Sequence, residues 1–380
     1  MSISMSPFAG LPGWPDIDDG RLRDLEDFGS NPGKLRARIF TPEGTGKRPL
    51  VVVLHGCTQT AAGYDTGAGW SVLAEEQGFL LLFPEQQRAN NPNLCFNWFS
   101  ATDIQRDQGE ALSIRQMIAT LVREQGADPD RIFITGLSAG GAMASVMLAT
   151  YPEVFAGGAI VAGLPYGTAK GVPQAMDRMR GHGLPEPAQL DALVQGASAH
   201  RGPWPTISVW HGTNDMTVAA ANADAVVAQW RAVHGVAEQP TAVDSIDGHR
   251  RELWRDGSQR VVIEAYRIAG MGHGTPLDTI GSQRCGKAGP FMLEAGISST
   301  RHIAASWGLS DAKQPVEEPD AASPQADIPP AGRRPDKIRL PIPRIVRAER
   351  VYDAAPAEAT GAKGVKEIIE RALKAAGLMR

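Results

Sequence analysis

One stretch restricts this chain more than any other: Arg131-Ile-Phe-Ile-Thr-Gly-Leu-Ser-Ala-Gly-Gly-Ala-Met-Ala-Ser145. An apolar strand runs into Gly136-Leu137-Ser138-Ala139-Gly140, and a helix of small residues follows. A strand that turns straight into a helix leaves no room for side chains beside the turn, so glycines must flank the turning residue. That residue is held in the open, with the next backbone N–H pointing at whatever it attacks. With 42 glycines in 380 residues, a bare G-x-S-x-G arises by chance roughly 0.2 times in such a chain. The strand–turn–helix setting is what makes this one specific. It implies a serine nucleophile at Ser138 and hydrolytic chemistry.

The neighbouring segments define the fold around that turn. Alternation begins near Leu35-Arg-Ala-Arg-Ile-Phe40, and the continuous apolar run Leu50-Val-Val-Val-Leu54 follows. A helix fits 70–77, and Phe79-Leu-Leu-Leu-Phe83 makes the next buried strand. Residues 108–124 show helical spacing, with Ala111, Ile114, Ile118 and Leu121 on one face. Short apolar strands recur at 156–161, 206–210 and 260–268, with a helix over 219–233. Strands buried on both faces and separated by helices imply a mostly parallel, doubly wound α/β sheet.

A serine nucleophile needs a base for its proton, an acid to orient that base, and N–H donors for the oxyanion. Where a sheet presents serine on such a turn, the acid and then the base follow it in the chain, each at a strand's carboxyl end. Strand 206–210 ends in His211-Gly-Thr-Asn-Asp215, and strand 260–268 ends in Ala269-Gly-Met-Gly-His273. These offer Asp215 and His273 in the required order. Asn214 and Asp224 compete for the acid role. His249 competes for the base role, but Gly248-His249-Arg250-Arg251 reads as a polar turn where a solvated histidine is expected. His55-Gly56-Cys57 follows the strand ending at Leu54, where such a loop supplies an oxyanion donor, so the hole is assigned to the N–H groups of Cys57 and Ala139. The His55 ring is expected to pack beneath that loop. Asn97, Trp98 and Phe99, in a loop joining amides to aromatics, either line a substrate pocket or anchor the loop itself.

Composition excludes other classes. A net charge of −4 gives no electrostatic reason to expect nucleic acid as a partner. No apolar run approaches the length that crosses a bilayer. Cys57, Cys95 and Cys285 match no zinc-ligand spacing, so no metal is expected, and the proposed chemistry calls for no cofactor. Residues 1–19 have neither a basic start nor an apolar core, which predicts a cytoplasmic protein. On those grounds three reduced thiols are expected, with a Cys57–Cys95 bridge as the alternative.

Four regions follow: an N-terminal arm over 1–34, a catalytic domain over 35–310, a Pro/Ala-rich linker over 311–343, and a tail over 344–380. The linker has no apolar periodicity and is expected to be disordered. In the tail, Val365, Ile368, Ile369, Ala372, Leu373 and Ala376 form one apolar stripe of a short amphipathic helix.

Longer motifs now carry a family resemblance. His55-Gly-Cys-Thr-Gln-Thr60, Pro84-Glu-Gln-Gln87, Asn97-Trp-Phe99, Gly136-Leu-Ser-Ala-Gly-Gly-Ala-Met143, Ala162-Gly-Leu-Pro-Tyr-Gly167 and Gly289-Pro-Phe-Met-Leu-Glu-Ala-Gly-Ile-Ser-Ser299 together resemble the polyhydroxybutyrate depolymerase family of esterases. The likeness covers roughly residues 35 to 310. It implies an α/β-hydrolase fold and cleavage of carboxylic esters through an acyl-serine intermediate, with Ser138, Asp215, His273 and the Cys57 loop on the family's functional positions. The implied substrate is polyhydroxybutyrate, another polyhydroxyalkanoate or their oligomers. The alternatives are feruloyl, acetylxylan or small esters, or a non-catalytic protein bound to polymer granules through the C-terminal helix. Thr168 lies where relatives often carry a cysteine, which leaves Cys285 without that partner. Many relatives are extracellular, the alternative to a cytoplasmic location.

Overall fold

The continuous apolar runs form the middle of one sheet. The computed structural model describes residues 19–310 apart from 282 and 283. Its strands are β1 (Arg23–Asp24), β2 (Arg36–Phe40), β3 (Arg48–Leu54), β4 (Leu80–Glu85), β5 (Ala127–Leu137), β6 (Gly157–Val161) and β7 (Thr206–Gly212). They continue as β8 (Ala242–Ile246), β9 (His249–Arg255), β10 (Val261–Ile268), β11 (Thr275–Leu277) and β12 (Met292–Glu294). The main sheet has the order β1-β2-β4-β3-β5-β6-β7-β10-β9-β8, and β11 pairs with β12 separately. From β4 to β10 every pairing is parallel. The antiparallel pairings lie at the two margins, β1–β2–β4 and β10–β9–β8. This is the mostly parallel sheet that the strand pattern implies and the α/β-hydrolase fold that the family resemblance implies, with two antiparallel margins added.

Helices α1 (Ala61–Ala68), α2 (Trp70–Gln77), α3 (Gly109–Glu124), α4 (Ala139–Thr150), α5 (Val172–Met179), α6 (Pro187–Gln195), α7 (Ala221–His234) and α8 (Ser299–Ser306) cover the sheet. Alternation along β3 sorts them into two layers. Leu50, Val52 and Leu54 share a core with Ile114 of α3, Met143 of α4, Val194 of α6 and Trp230 of α7. Val51 and Val53 face the other way, among Tyr64 of α1, Leu73 of α2 and Ile303 of α8. These five aliphatic residues of β3 are fully buried, and each such side chain contributes about 1.5–3 kcal/mol. Helix α4 is buried along its whole length. Its small residues allow it to lie close against β5 and β6.

The described part of the N-terminal arm is tied to the domain. β1 extends the sheet beside β2, Leu22 and Leu25 are buried, and the Arg38 guanidinium donates to the Leu22 carbonyl at 2.6 Å. The linker over 311–343 and the tail with its apolar stripe lie outside the described residues.

Candidate active site

The parallel strands bring the candidate residues to one edge. Leu137, Val161, Trp210 and Tyr266 are in register across β5, β6, β7 and β10. Just beyond that level the Ser138 N–H donates to the Val161 carbonyl at 2.9 Å, Ala162 to Trp210 at 2.8 Å, and Thr213 to Ile268 at 3.0 Å. Ser138 itself turns with φ 57° and ψ −117°, a conformation that costs a non-glycine residue energy. The flanking glycines are required by contact. A Cβ on Gly136 would stand 2.4 Å from the Gly140 carbonyl, and one on Gly140 would stand 2.3 Å from the Leu54 oxygen and 2.5 Å from the His55 oxygen. Gly136 therefore lets strand and helix close, and Gly140 brings the start of α4 against the His55–Cys57 loop.

Asp215 and His273 meet. His273 Nδ1 lies 2.7 Å from Asp215 Oδ2. An ionised carboxylate can only accept, so Nδ1 carries the proton and Nε2 is left as the basic nitrogen. The other carboxylate oxygen, Oδ1, accepts from the backbone N–H groups of Thr217 at 2.9 Å and Val218 at 2.8 Å. Burial pushes the Asp215 carboxyl upward, but the bond and charge of His273 and the Val218 amide outweigh it and hold the group below its ordinary range. Its competitors do not make this bond. Asp224 forms an exposed ion pair with Arg267 at 2.6 Å, and the Asn214 N–H donates to the Met271 carbonyl at 3.0 Å.

Two histidines support this pair. His211 is buried, its Nε2 is 2.8 Å from the Val218 carbonyl and 3.5 Å from Asp215 Oδ2, and burial lowers its pKa. His249 is buried too, which corrects the expectation of a solvated side chain. The polar turn consists of Asp247 and Gly248, with φ 49° and 81°, so His249 is the first residue of β9. Its Nε2 lies 2.8 Å from the Ala295 carbonyl, and its Nδ1 accepts from the Ala269 N–H at 3.1 Å, at the root of the loop that carries His273.

On the other side of Ser138, the Ala139 N–H is the first of α4 and has no partner inside the helix. The Cys57 N–H makes no hydrogen bond among the described residues. Cys57 is joined to Cys95 by a disulfide, which corrects the expectation of three reduced thiols. Cys285 remains a free, buried thiol, and burial pushes it up to about 12. His55 packs beneath the loop as expected. Its Nδ1 donates to the Gly56 carbonyl at 2.8 Å and its Nε2 accepts from the Gln86 N–H at 3.1 Å.

The 90–99 loop is anchored to the domain by its own side chains. Phe96 and Trp98 are buried, and the half-buried Phe99 meets the Trp98 ring edge-on at 5.5 Å. The Asn97 carboxamide is fully committed, donating to Glu110 Oε1 of α3 at 2.8 Å and accepting from Asn91 within the loop at 2.9 Å. Glu110 was missed in the sequence reading, although a signal exists. It stands four residues before Ile114, on the apolar stripe of α3, where an acid is out of place.

Residues 36–253 match the family described as esterase PHB depolymerase. The chain is 43% identical over 291 residues to poly(3-hydroxyalkanoate) depolymerase C of Paucimonas lemoignei, an alignment spanning 76% of this chain and 70% of that protein. It is 29% identical to an acetylxylan esterase of Coprinopsis cinerea, over 70% of this chain and 72% of the relative. Feruloyl esterase B of Talaromyces stipitatus is likewise 29% identical, over 72% and 78%. Among solved structures, acetyl xylan esterase from Aspergillus awamori superposes with a TM-score of 0.64 at 23% identity, covering 76% of this chain and 99% of that one. The fold and these relatives define a carboxylic ester hydrolase. The chain belongs to the esterase PHB depolymerase family.

Proposed function

We propose that Ser138 attacks the ester carbonyl while His273 Nε2 takes its proton and Asp215 holds the imidazolium. The Cys57 and Ala139 N–H groups receive the oxyanion. His273 then protonates the departing alcohol, water attacks the acyl-serine with His273 as base, and the free acid leaves. The observation that carries this reading is the 2.7 Å Asp215–His273 bond, in the loops beside the serine turn. We assign a polyhydroxyalkanoate or its oligomers as substrate, because the relative named for that polymer is 43% identical whereas the two carbohydrate-ester relatives are 29% identical. Release of hydroxybutyrate from amorphous polyhydroxybutyrate by purified protein tests both parts. Ser138→Ala should lower turnover by about 10⁶-fold with the fold intact, and undiminished release would remove Ser138 from the mechanism. Hydrolysis of feruloyl or acetylxylan esters with no polymer release would transfer the substrate to that second class.

The Cys57–Cys95 bridge favours the extracellular alternative over the cytoplasmic one, since structural disulfides persist in oxidising compartments. Thiol labelling of the protein in fractionated cells decides between them. Contact with polymer granules is assigned to the stripe from Val365 to Ala376, outside the described residues. Deleting 311–380 should then release the protein from granules while leaving hydrolysis of soluble esters unchanged.

A further inference from the structure

Behind the oxyanion loop lies a buried acid that the reaction scheme does not use. Glu110 is fully buried in the first turn of α3. Its Oε1 accepts from Gln86 Nε2 at 2.6 Å, Asn97 Nδ2 at 2.8 Å and Asn90 Nδ2 at 3.3 Å, and its Oε2 accepts from the Asn97 backbone N–H at 2.9 Å. All four donors belong to one segment, 86–97. That segment grips the Cys57 loop from three directions. Cys95 is bonded to Cys57, the Asn93 carbonyl accepts from the Thr58 N–H at 2.7 Å, and the Gln86 N–H binds His55 Nε2. Gln86 ties the set together, since its side chain also donates to the Cys95 carbonyl at 3.0 Å.

From this connectivity we infer that Glu110 is a positioning residue for the oxyanion hole, setting the Cys57 N–H through Gln86, Asn97 and Cys95. A purely apolar support could fill the same space, but it would leave the Asn97 backbone and side-chain N–H groups without acceptors and the Gln86 amide with only the Cys95 carbonyl. Burial pushes the carboxyl up to about 8, against the pull of the Asn97 and Gln86 donors, with Asp103 at the entry to α3 adding to the rise. Protonated or ionised, both oxygens keep a lone pair for these donors. An amide nitrogen does not.

The inference rests on the Cys57 N–H being an oxyanion donor, and it is tested with two variants. Glu110→Gln preserves shape but sets an NH₂ group against either the Asn97 N–H or the cluster of side-chain amides. Gln86→Met removes the amide that joins Glu110 to Cys95. Each should lower kcat on a soluble ester by about 10-fold, short of the 100- to 1,000-fold cost of losing one donor outright. KM should stay within about two-fold, because the oxyanion forms only in the transition state. Phosphonylation of Ser138 by a p-nitrophenyl phosphonate, whose adduct is tetrahedral, should slow by the same factor. The double variant should be no slower than either single one, as expected for residues on one path. Wild-type kcat in both variants, with only a lowered Tm, would overturn the inference while a dead Ser138→Ala leaves the triad reading standing. An active Ser138→Ala would overturn both.

Discussion

Ser138 stands between two halves of a site that are built in different ways. On the β7–β10 side, the proposed acid and base come from loops that directly follow strands, and the supports of Asp215 are close in sequence. Asp215 is fixed by the amides of Thr217 and Val218, two and three residues on. On the β3–β4 side, the proposed oxyanion amide of Cys57 owes its place to Gln86, Cys95 and Glu110, about 30 to 50 positions away in the chain. In the first half Asp215 is held by a short backbone turn. The second is held by a covalent bridge and a buried amide–carboxyl cluster. The same reaction therefore depends on one arrangement that a local motif encodes and another that only the assembled fold supplies.

Four measurements can break or sharpen this contrast. The largest effect is expected from Asp215→Asn, which keeps the shape but favours the wrong His273 tautomer. Turnover should fall about 10⁴-fold, and a loss below 10-fold would separate Asp215 from the chemistry. Next comes the pH dependence of stability. Glu110 binds its proton more tightly folded than unfolded, so its contribution is greatest below pH 4.5 and is lost as pH rises towards about 8. Wild-type stability should decline by roughly 3–5 kcal/mol across that window from this group, and Glu110→Gln should flatten the decline in urea titrations. An unchanged slope would mean that the carboxyl titrates normally. Of similar size is the bridge, which closes 38 residues. Replacing both cysteines by serine should cost about 4 kcal/mol, with kcat reduced less than in Asp215→Asn. An unaltered urea midpoint would show that the amide cluster alone holds the loop. The smallest effect belongs to His249→Leu, which deprives the Ala269 N–H of its acceptor. Stability should drop by about 1–3 kcal/mol and kcat only a few-fold, and a 10³-fold loss of kcat would move His249 from support into the reaction itself.

The same contrast explains what was legible in the sequence. Helices over 70–77 and 108–124 and the apolar strands were readable because each depends on its own spacing, and α2 falls on Trp70–Gln77 as expected. The order Ser138, Asp215, His273 was readable because each residue sits at the end of an apolar run. Helix α1 was not, since its residues Ala-Ala-Gly-Tyr-Asp-Thr-Gly-Ala carry little periodicity and its start is fixed by the Thr60 hydroxyl accepting from the Gly63 N–H. His249 was misread because the run of charge beside it suggests a solvated turn, whereas β9 turns only the neighbouring Arg250 outward and His249 inward, as alternation in a strand requires. The Cys57–Cys95 bond depends on two loops meeting, which no spacing along the chain can show.

The backbone of Ser138 has a further consequence. Its left-handed φ is a standing cost of about 1–3 kcal/mol, carried by the whole domain for the sake of one hydroxyl. Replacing Ser138 by alanine removes the hydroxyl and keeps the cost, whereas glycine removes both. The Ser138→Gly protein should outlast its active parent at elevated temperature. At this single position, selection for turnover and selection for durability pull in opposite directions, and the presence of serine records which prevailed.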